Sequence, residues 1–367
     1  MSTGLYIHLP FCKKKCNYCD FASFPHCEDL IEDYLQALLA EAGSISLTHF
    51  DTLYVGGGTP SLLSCQQLEI LCQGVSKHFG NIARFAESTF EANPESLTQG
   101  KITLLRAAGF NRFSVGLQSF HDTELKTLGR VHTAADFLRV WEDLRAAGVN
   151  NINVDLIAGV PGQTLKSFLA GLDKLMGLGP EHISVYGLQI EEGTPFFERG
   201  IVCDQLLMRK MLEETKARLE AAGYHHYEIS NFARPGFESK HNTHYWQYQD
   251  YIGLGSAAAS FINGIRQQHV ANVREYIHRV STGKTPVDFV EHLEGKALEG
   301  EKLLVGLRQL DGVDLTPLQQ QFFGKEIARH VQNGLLLQEG KKVKLSNEGL
   351  FLANEVFYSF VAPFEEA

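Results

Sequence analysis

Three of the cysteines crowd into one short stretch, "PFCKKKCNYCDF", which begins at Pro10. Cys12, Cys16 and Cys19 have three and two residues between them, a spacing that lets one loop wrap one metal centre. Zinc takes four protein ligands in a closed site, usually in two close pairs. No second close cysteine pair exists here, so a zinc site would draw on His8 or His26 to reach Cys3His. A [4Fe–4S] cube on three thiolates is the better fit, because it leaves one iron open to a ligand. Lys13, Lys14 and Lys15 lie inside the loop, either offsetting the charge of a cluster and its thiolates or simply solvated. Cys27 lies near the cluster, whereas Cys65, Cys72 and Cys203 are scattered and read as small buried hydrophobes.

A second stretch, "YVGGGTPS" (Tyr54–Ser61), lets backbone N–H and C=O groups approach a ligand closely. It lacks the lysine of a nucleotide-phosphate loop. Polar residues then mark the ends of successive apolar runs: Glu91, Gln118, Asp155 and Gln189. A buried acid or amide is costly without a partner, so four in such register point to one polar site. Arg130 is either the cation of that site or an exposed charge at a helix end.

These residues need a frame to bring them together. Strands are expected at 5–9, 52–55, 88–91, 112–116, 151–157 and 182–188, each rich in β-branched or aromatic residues. Between them run helical patterns at 28–42, 65–79, 97–108, 133–147, 164–176 and 204–222. Several stop at glycine, namely Gly109, Gly148 and Gly223. Repeated strand–helix alternation predicts an α/β fold with parallel strands, either a closed or part-closed barrel or a doubly wound sheet. In a barrel, the C-terminal strand ends are where such loops converge on a site.

The rhythm breaks near Ala222. The stretch 226–294 is rich in aromatics and histidine and reads as irregular structure packed on a barrel that spans 1–225. Residues 295–367 read as a small winged-helix-like domain, with helices at 297–308, 315–322 and 326–333, a hairpin about Glu339–Gly340, and a last helix at 349–360. Within the middle stretch, "HNTHYW" gathers His241, His244, Tyr245 and Trp246. Imidazole and phenol both serve as haem-iron ligands, and aromatic rings suit a flat macrocycle. The alternative is a polar loop closing the barrel mouth with its histidines hydrogen-bonded. His225 and His226 have a lesser claim.

The net charge of −10 does not suit a general nucleic-acid binder. Lys341, Lys342 and Lys344 at the hairpin do not outweigh it. The N-terminus carries no signal-peptide pattern, and no apolar run reaches the roughly 18 residues of a membrane span. The expected location is the cytoplasm, where clustered thiols more often bind metal than form disulfides.

Taken together, "YIHLPFCKKKCNYCDF", "GGGTPS", "FEANPES", "FSVGLQSF" and "NVDLIAGVPGQT" resemble the radical S-adenosylmethionine (SAM) superfamily. Within it they look like the branch that holds the oxygen-independent coproporphyrinogen III dehydrogenase HemN and the haem chaperone HemW. The resemblance covers essentially the whole chain. It implies a partial parallel (β/α)6 barrel, with a [4Fe–4S] cluster on Cys12, Cys16 and Cys19. Tyr6 and Tyr18 match positions lining SAM, and Gly57, Gly58 and Thr59 match the loop at its methionine part. Glu91, Gln118, Arg130 and Asp155 match the polar positions that grip the rest. The family uses cluster and SAM to generate a 5′-deoxyadenosyl radical. Phe21 stands where the dehydrogenases carry a further cysteine, "HNTHYW" matches the HNxxYW signature of the chaperone branch, and the chain starts almost directly at the cluster strand. The implied function is haem binding and delivery to acceptor haemoproteins, respiratory ones included, without the dehydrogenase activity. A dehydrogenase is the runner-up, and a zinc-bearing winged-helix regulator a third reading. Haem as cargo, a homodimer, no nucleic acid, and membrane contact only through a partner complete the expectations.

Overall fold

The computed structural model describes residues 3–47 and 49–361. The outer parts of the two terminal spans above, residues 1–2 and 362–367, lie outside the described residues. Six strands, Thr3–Leu9, Thr52–Gly57, Glu87–Ala92, Arg112–Gln118, Ile152–Ala158 and His182–Gly187, lie parallel and in chain order. Most of their residues are buried, as expected of parallel strands covered by helices. Helices Ile31–Ser44, Cys65–Phe79, Gln99–Ala108, Ala134–Ala146, Leu165–Leu178 and Gln205–Ala221 connect or follow them and pack outside.

Local chemistry sets the boundaries. Ser64 with Gln67, and Thr133 with Asp136, form reciprocal capping boxes at helix starts. Gly109, Gly148 and Gly223 all adopt positive φ just past helix ends, as their placement in the sequence predicts. Helix Asp122–Leu128 is an element the periodicity does not reveal, being only 7 residues long.

The reading of 226–294 as irregular is corrected. This segment extends the sheet on both sides to 12 strands. Asn231–Ala233 and His225–Glu228 add antiparallel beyond His182–Gly187. Asp250–Leu254 adds parallel beside Thr3–Leu9, followed by an antiparallel meander of Ala259–Ile262, Ile265–His269 and Val287–His292. The two edge strands do not pair, so the sheet curls without closing. "HNTHYW" is likewise no loop but the end of helix Lys240–Trp246.

From Gly295 onward a separate apolar core forms around Leu303, Phe323, Ile327, Val343 and Val356. The expected hairpin is present as Leu336–Glu339 and Lys342–Leu345. The two helices expected at 315–322 and 326–333 are one, Pro317–Gln332, because Phe323 and Ile327 continue a single apolar stripe past Gly324. The last helix instead breaks at Leu352 into Asn347–Phe351 and Ala353–Tyr358. No helix among the described residues is long and apolar enough to cross a membrane.

Candidate functional site

The strand Thr3–Leu9 delivers the cysteine loop to the C-terminal mouth of the sheet. Phe11–Cys12 pairs with Phe24–Pro25, closing the loop at its base. Asn17 pins its tip, its backbone N–H donating to Leu128 O at 2.9 Å and its side chain to Thr127 O at 2.8 Å. The three thiols stand half-buried, each on its own partner. Cys12 Sγ meets Thr59 Oγ1 at 3.4 Å, Arg130 donates to Cys16 Sγ at 3.7 Å, and Cys19 Sγ lies 3.9 Å from Ser23 Oγ.

All three cysteines line one cavity. Among the described residues no set of three or more His, Cys, Asp or Glu side chains is gathered to hold a single ion. His8 is no fourth ligand: its Nδ1 meets the Tyr6 phenol and its Nε2 meets Ala22 O, both at 2.9 Å. This donor set fits a multi-iron cluster, whose thiolates bind different metals, better than one zinc.

The thiols open into a cavity of about 380 Å3. Tyr18, Gly57, Gly58, Thr59, Glu91, Gln118, Arg130 and Asp155 all line it, joined by Gln189 and Lys15. The expected polar site is therefore one space. Tyr6 faces an adjoining cavity and shares it with Glu91 and Gly57. Arg130 is not an exposed helix-end charge. It bridges Asn93 Oδ1 at 2.5 Å and Gly116 O at 3.0 Å, and Asn93 in turn donates to Thr59 Oγ1 at 3.1 Å. Burial works against the Arg130 charge, but Tyr18, Cys16 and Glu95 beside it hold its pKa above the ordinary value. The cation thus sits where thiolates need one.

Glu91 accepts from Tyr54 Oη at 2.5 Å and from Gly57 N at 3.1 Å, fastening the glycine loop to the neighbouring strand end. Asp155 accepts from Asn153 at 2.8 Å. Asn153 also takes His182 Nδ1 at 2.6 Å, and His182 Nε2 meets the Tyr227 phenol at 2.8 Å. Asn93 and Asn153 escape sequence reasoning. The strand register, with Ser114 beside Asn153 and Asn153 beside His182, assigns Asn153 its place, and the bonds to Arg130 and Thr59 assign Asn93 its own.

Burial, and then the charge of Asp155, raise the Glu91 pKa from 4.5 to about 7. The folded state therefore binds the proton more tightly than the unfolded chain. Stability from this group is complete below pH 4.5 and falls as pH rises through about 7. The full shift is worth on the order of 3 kcal/mol, and water in the open cavity screens it to about 1 kcal/mol. Thermal unfolding without added ligand should show stability falling between pH 5 and pH 7.5. Glu91→Gln should flatten that slope, and an unchanged slope would refute the assignment.

The second cavity, about 760 Å3, shares Asp20, Phe21, Gly57 and Glu91 with the first. Its walls carry the aromatic rings of Tyr6, Tyr245, Trp246, Tyr248, Tyr251 and Phe261. Phe21, 67% exposed, stands at the partition. Of the "HNTHYW" set, Tyr245 and Trp246 reach this space. His241 does not: it is buried beneath Tyr54, with Nδ1 on Thr52 Oγ1 and Nε2 on Tyr245 Oη, both at 2.8 Å. Burial lowers its pKa to about 3, so it stays neutral. His244 lines a different cavity, with Asp51 and Lys240 near the N-terminal strand ends. The reason is the helix cap. Glu87 accepts from Lys240 N at 3.1 Å and His241 N at 3.0 Å, seating this helix under the barrel. His225 pairs with Glu238, and His226 lies against Phe232, away from both joined cavities.

Residues 6–175 match the model of the radical SAM superfamily. The chain is 34% identical to a protein named heme chaperone HemW from Lactococcus lactis, covering 97% of this chain and 96% of that protein. It is likewise 34% identical to heme chaperone HemW from Bacillus subtilis, over 97% of this chain and 98% of the other. The fold is that of coproporphyrinogen III oxidase HemN from Escherichia coli, with a TM-score of 0.85 at 24% identity, covering 98% of this chain and 90% of that one. With a three-thiol loop, a glycine loop and polar strand ends meeting in one cavity, the chain belongs to the radical SAM superfamily, in its HemN/HemW branch.

Proposed function

We propose that this chain is a haem chaperone of the HemW type, which holds haem beside a SAM-binding [4Fe–4S] site and passes it to acceptor haemoproteins. The observation that carries this reading is the aromatic-walled cavity opening onto the thiol-lined one through Asp20, Phe21, Gly57 and Glu91. Its volume lies in the range of small-molecule and cofactor sites, and flat apolar ligands favour such walls. Relatives named heme chaperone match along almost the whole chain.

In this reading Cys12, Cys16 and Cys19 hold the cluster, and Arg130 offsets their charge while keeping Asn93 and Thr59 in place. Gly57, Gly58 and Thr59 present backbone to SAM. Glu91 and Asp155 accept hydrogen bonds from it, while Tyr6, Tyr18 and Gln118 line its space. When bound, cluster and SAM together supply one-electron cleavage of a sulfonium. Tyr245 meets the haem, with His241 holding its phenol from behind. Phe21 fills the place of the further cysteine found in the dehydrogenases.

The test is an anaerobic haem titration. The wild type should bind, Tyr245→Ala should weaken binding about tenfold, and His244→Ala should leave it unchanged. Absence of haem binding by the wild type would sink the reading. So would turnover of coproporphyrinogen III to protoporphyrinogen with SAM and a reductant.

A further inference from the structure

We propose that Arg266 is the carboxylate-recognising residue of the aromatic cavity, and that Glu301 occupies its place until a ligand carboxylate takes it. This rests on the haem reading above and adds what recognises the acidic edge of the ligand. A haem carries two propionates. The cavity nevertheless presents Asp20, Glu91 and Glu301 to it, and Arg266 is the one Lys or Arg among the described residues lining it. A dianionic macrocycle entering such walls needs that cation.

The surroundings of Arg266 show how the exchange works. The residue lies on the strand Ile265–His269, opposite Glu291 on the neighbouring strand. One guanidinium nitrogen pairs with Glu291 at 2.9 Å, and Glu291 lies outside the cavity wall. The other pairs with Glu301, which lies inside it. Glu301 also accepts from the Tyr248 phenol at 2.6 Å. Guanidinium and phenol together form a ready-made carboxylate receptor, with Arg supplying the planar fork that matches an acid. Glu301 occupies it from the helix Gly295–Gly306. The side chains of Arg266 and Glu301 are 30% and 18% exposed, so the pair is open to exchange and not sealed in a core.

A propionate arriving at this point finds the donors Glu301 now uses. Displacing Glu301 removes one contact between the sheet and the helix Gly295–Gly306, whose Val305 lines the same cavity. Loading is thereby linked to the contact between that helix and the sheet.

The experiment compares haem with haem dimethyl ester, in which both propionates are blocked, by equilibrium titration of the full chain. Wild type should prefer haem about tenfold. Arg266→Gln should abolish the preference while keeping the affinity for the ester. Glu301→Gln should raise haem affinity about threefold without changing that for the ester. Equal affinity of the wild type for both ligands would overturn the proposal. So would an equal loss of both ligands in Arg266→Gln, which marks a merely structural role. Should Arg266→Gln fail to fold, Glu301→Gln decides alone, and no gain in haem preference overturns it. A wild type that binds neither ligand instead overturns the haem reading itself.

Discussion

Replacing Cys16 by alanine is expected to abolish iron–sulfur absorption after anaerobic reconstitution while barely changing thermal stability. The thiol is half-buried on a loop, and its contact within the chain is the long one with Arg130 at 3.7 Å. Little apolar area is lost, so the fold should weaken by less than about 1 kcal/mol. The proposed iron site would lose one of its three thiolates. Cys27 is set outside the thiol cavity, and both nitrogens of His8 are engaged. Cys72→Ala is the matched control with the opposite pattern. Cys72 is 6% exposed in the main core, and burial raises its pKa to about 12, so it is an inert thiol. Its loss should cost about 1–2 kcal/mol through the cavity left behind and leave reconstituted iron content intact. Iron content and absorption measured on both variants decide the matter. Full iron loading of Cys16→Ala would remove the loop from the cluster assignment.

The contrast between these cysteines also shows what a sequence reveals. Spacing alone separates Cys12, Cys16 and Cys19 from Cys72, because a loop site is local. Strand-end residues such as Glu91 and Asp155 are also legible, since an acid ending an apolar run needs a partner. Residues defined by register are not. Asn153 acts on Asp155, Ser114 and His182 across three strands, and no periodicity in its own strand announces that. The same limit explains His241. The sequence shows an imidazole among aromatics, but its partner Thr52 is 189 positions away, and that bond turns a candidate ligand into a buried support. The strands Ile265–His269 and Val287–His292 were illegible for another reason. Their "IRQQH" and "VDFVEH" are the last two strands on one side of the sheet, with Val287–His292 the edge itself, and are largely polar or exposed, so they lack the apolar alternation of a half-buried strand. A place at the edge or next to it, decided by the whole topology, is what makes that composition acceptable.

Gly57→Ala should be the most damaging single-atom addition in the glycine loop, and it should reach both cavities at once. Gly57 has φ of +114°, where a side chain is strained, and an added Cβ would lie 2.6 Å from His8 Nδ1. His8 cannot simply turn aside, because it is held at one nitrogen by Tyr6 and at the other by Ala22 O. Moving it breaks both bonds and releases the end of the cysteine loop next to Phe21, the partition between the cavities. Backbone strain of about 1–2 kcal/mol and two displaced hydrogen bonds near 1 kcal/mol each give a total of about 3–4 kcal/mol. SAM affinity, read by equilibrium dialysis, should fall by more than about tenfold. Gly80→Ala isolates the strain, since its φ is +86° with nothing within 4 Å of the added atom, and it should cost only about 1 kcal/mol. The decisive variant is the double one. In His8→Ala with Gly57→Ala the clash is gone, so the two losses should not add, and the double variant should be more stable than the sum of the singles. Strict additivity would mean that His8 is not what fixes Gly57, and the link between the glycine loop and the cysteine loop would have to run through Gly58 and Phe11 O instead.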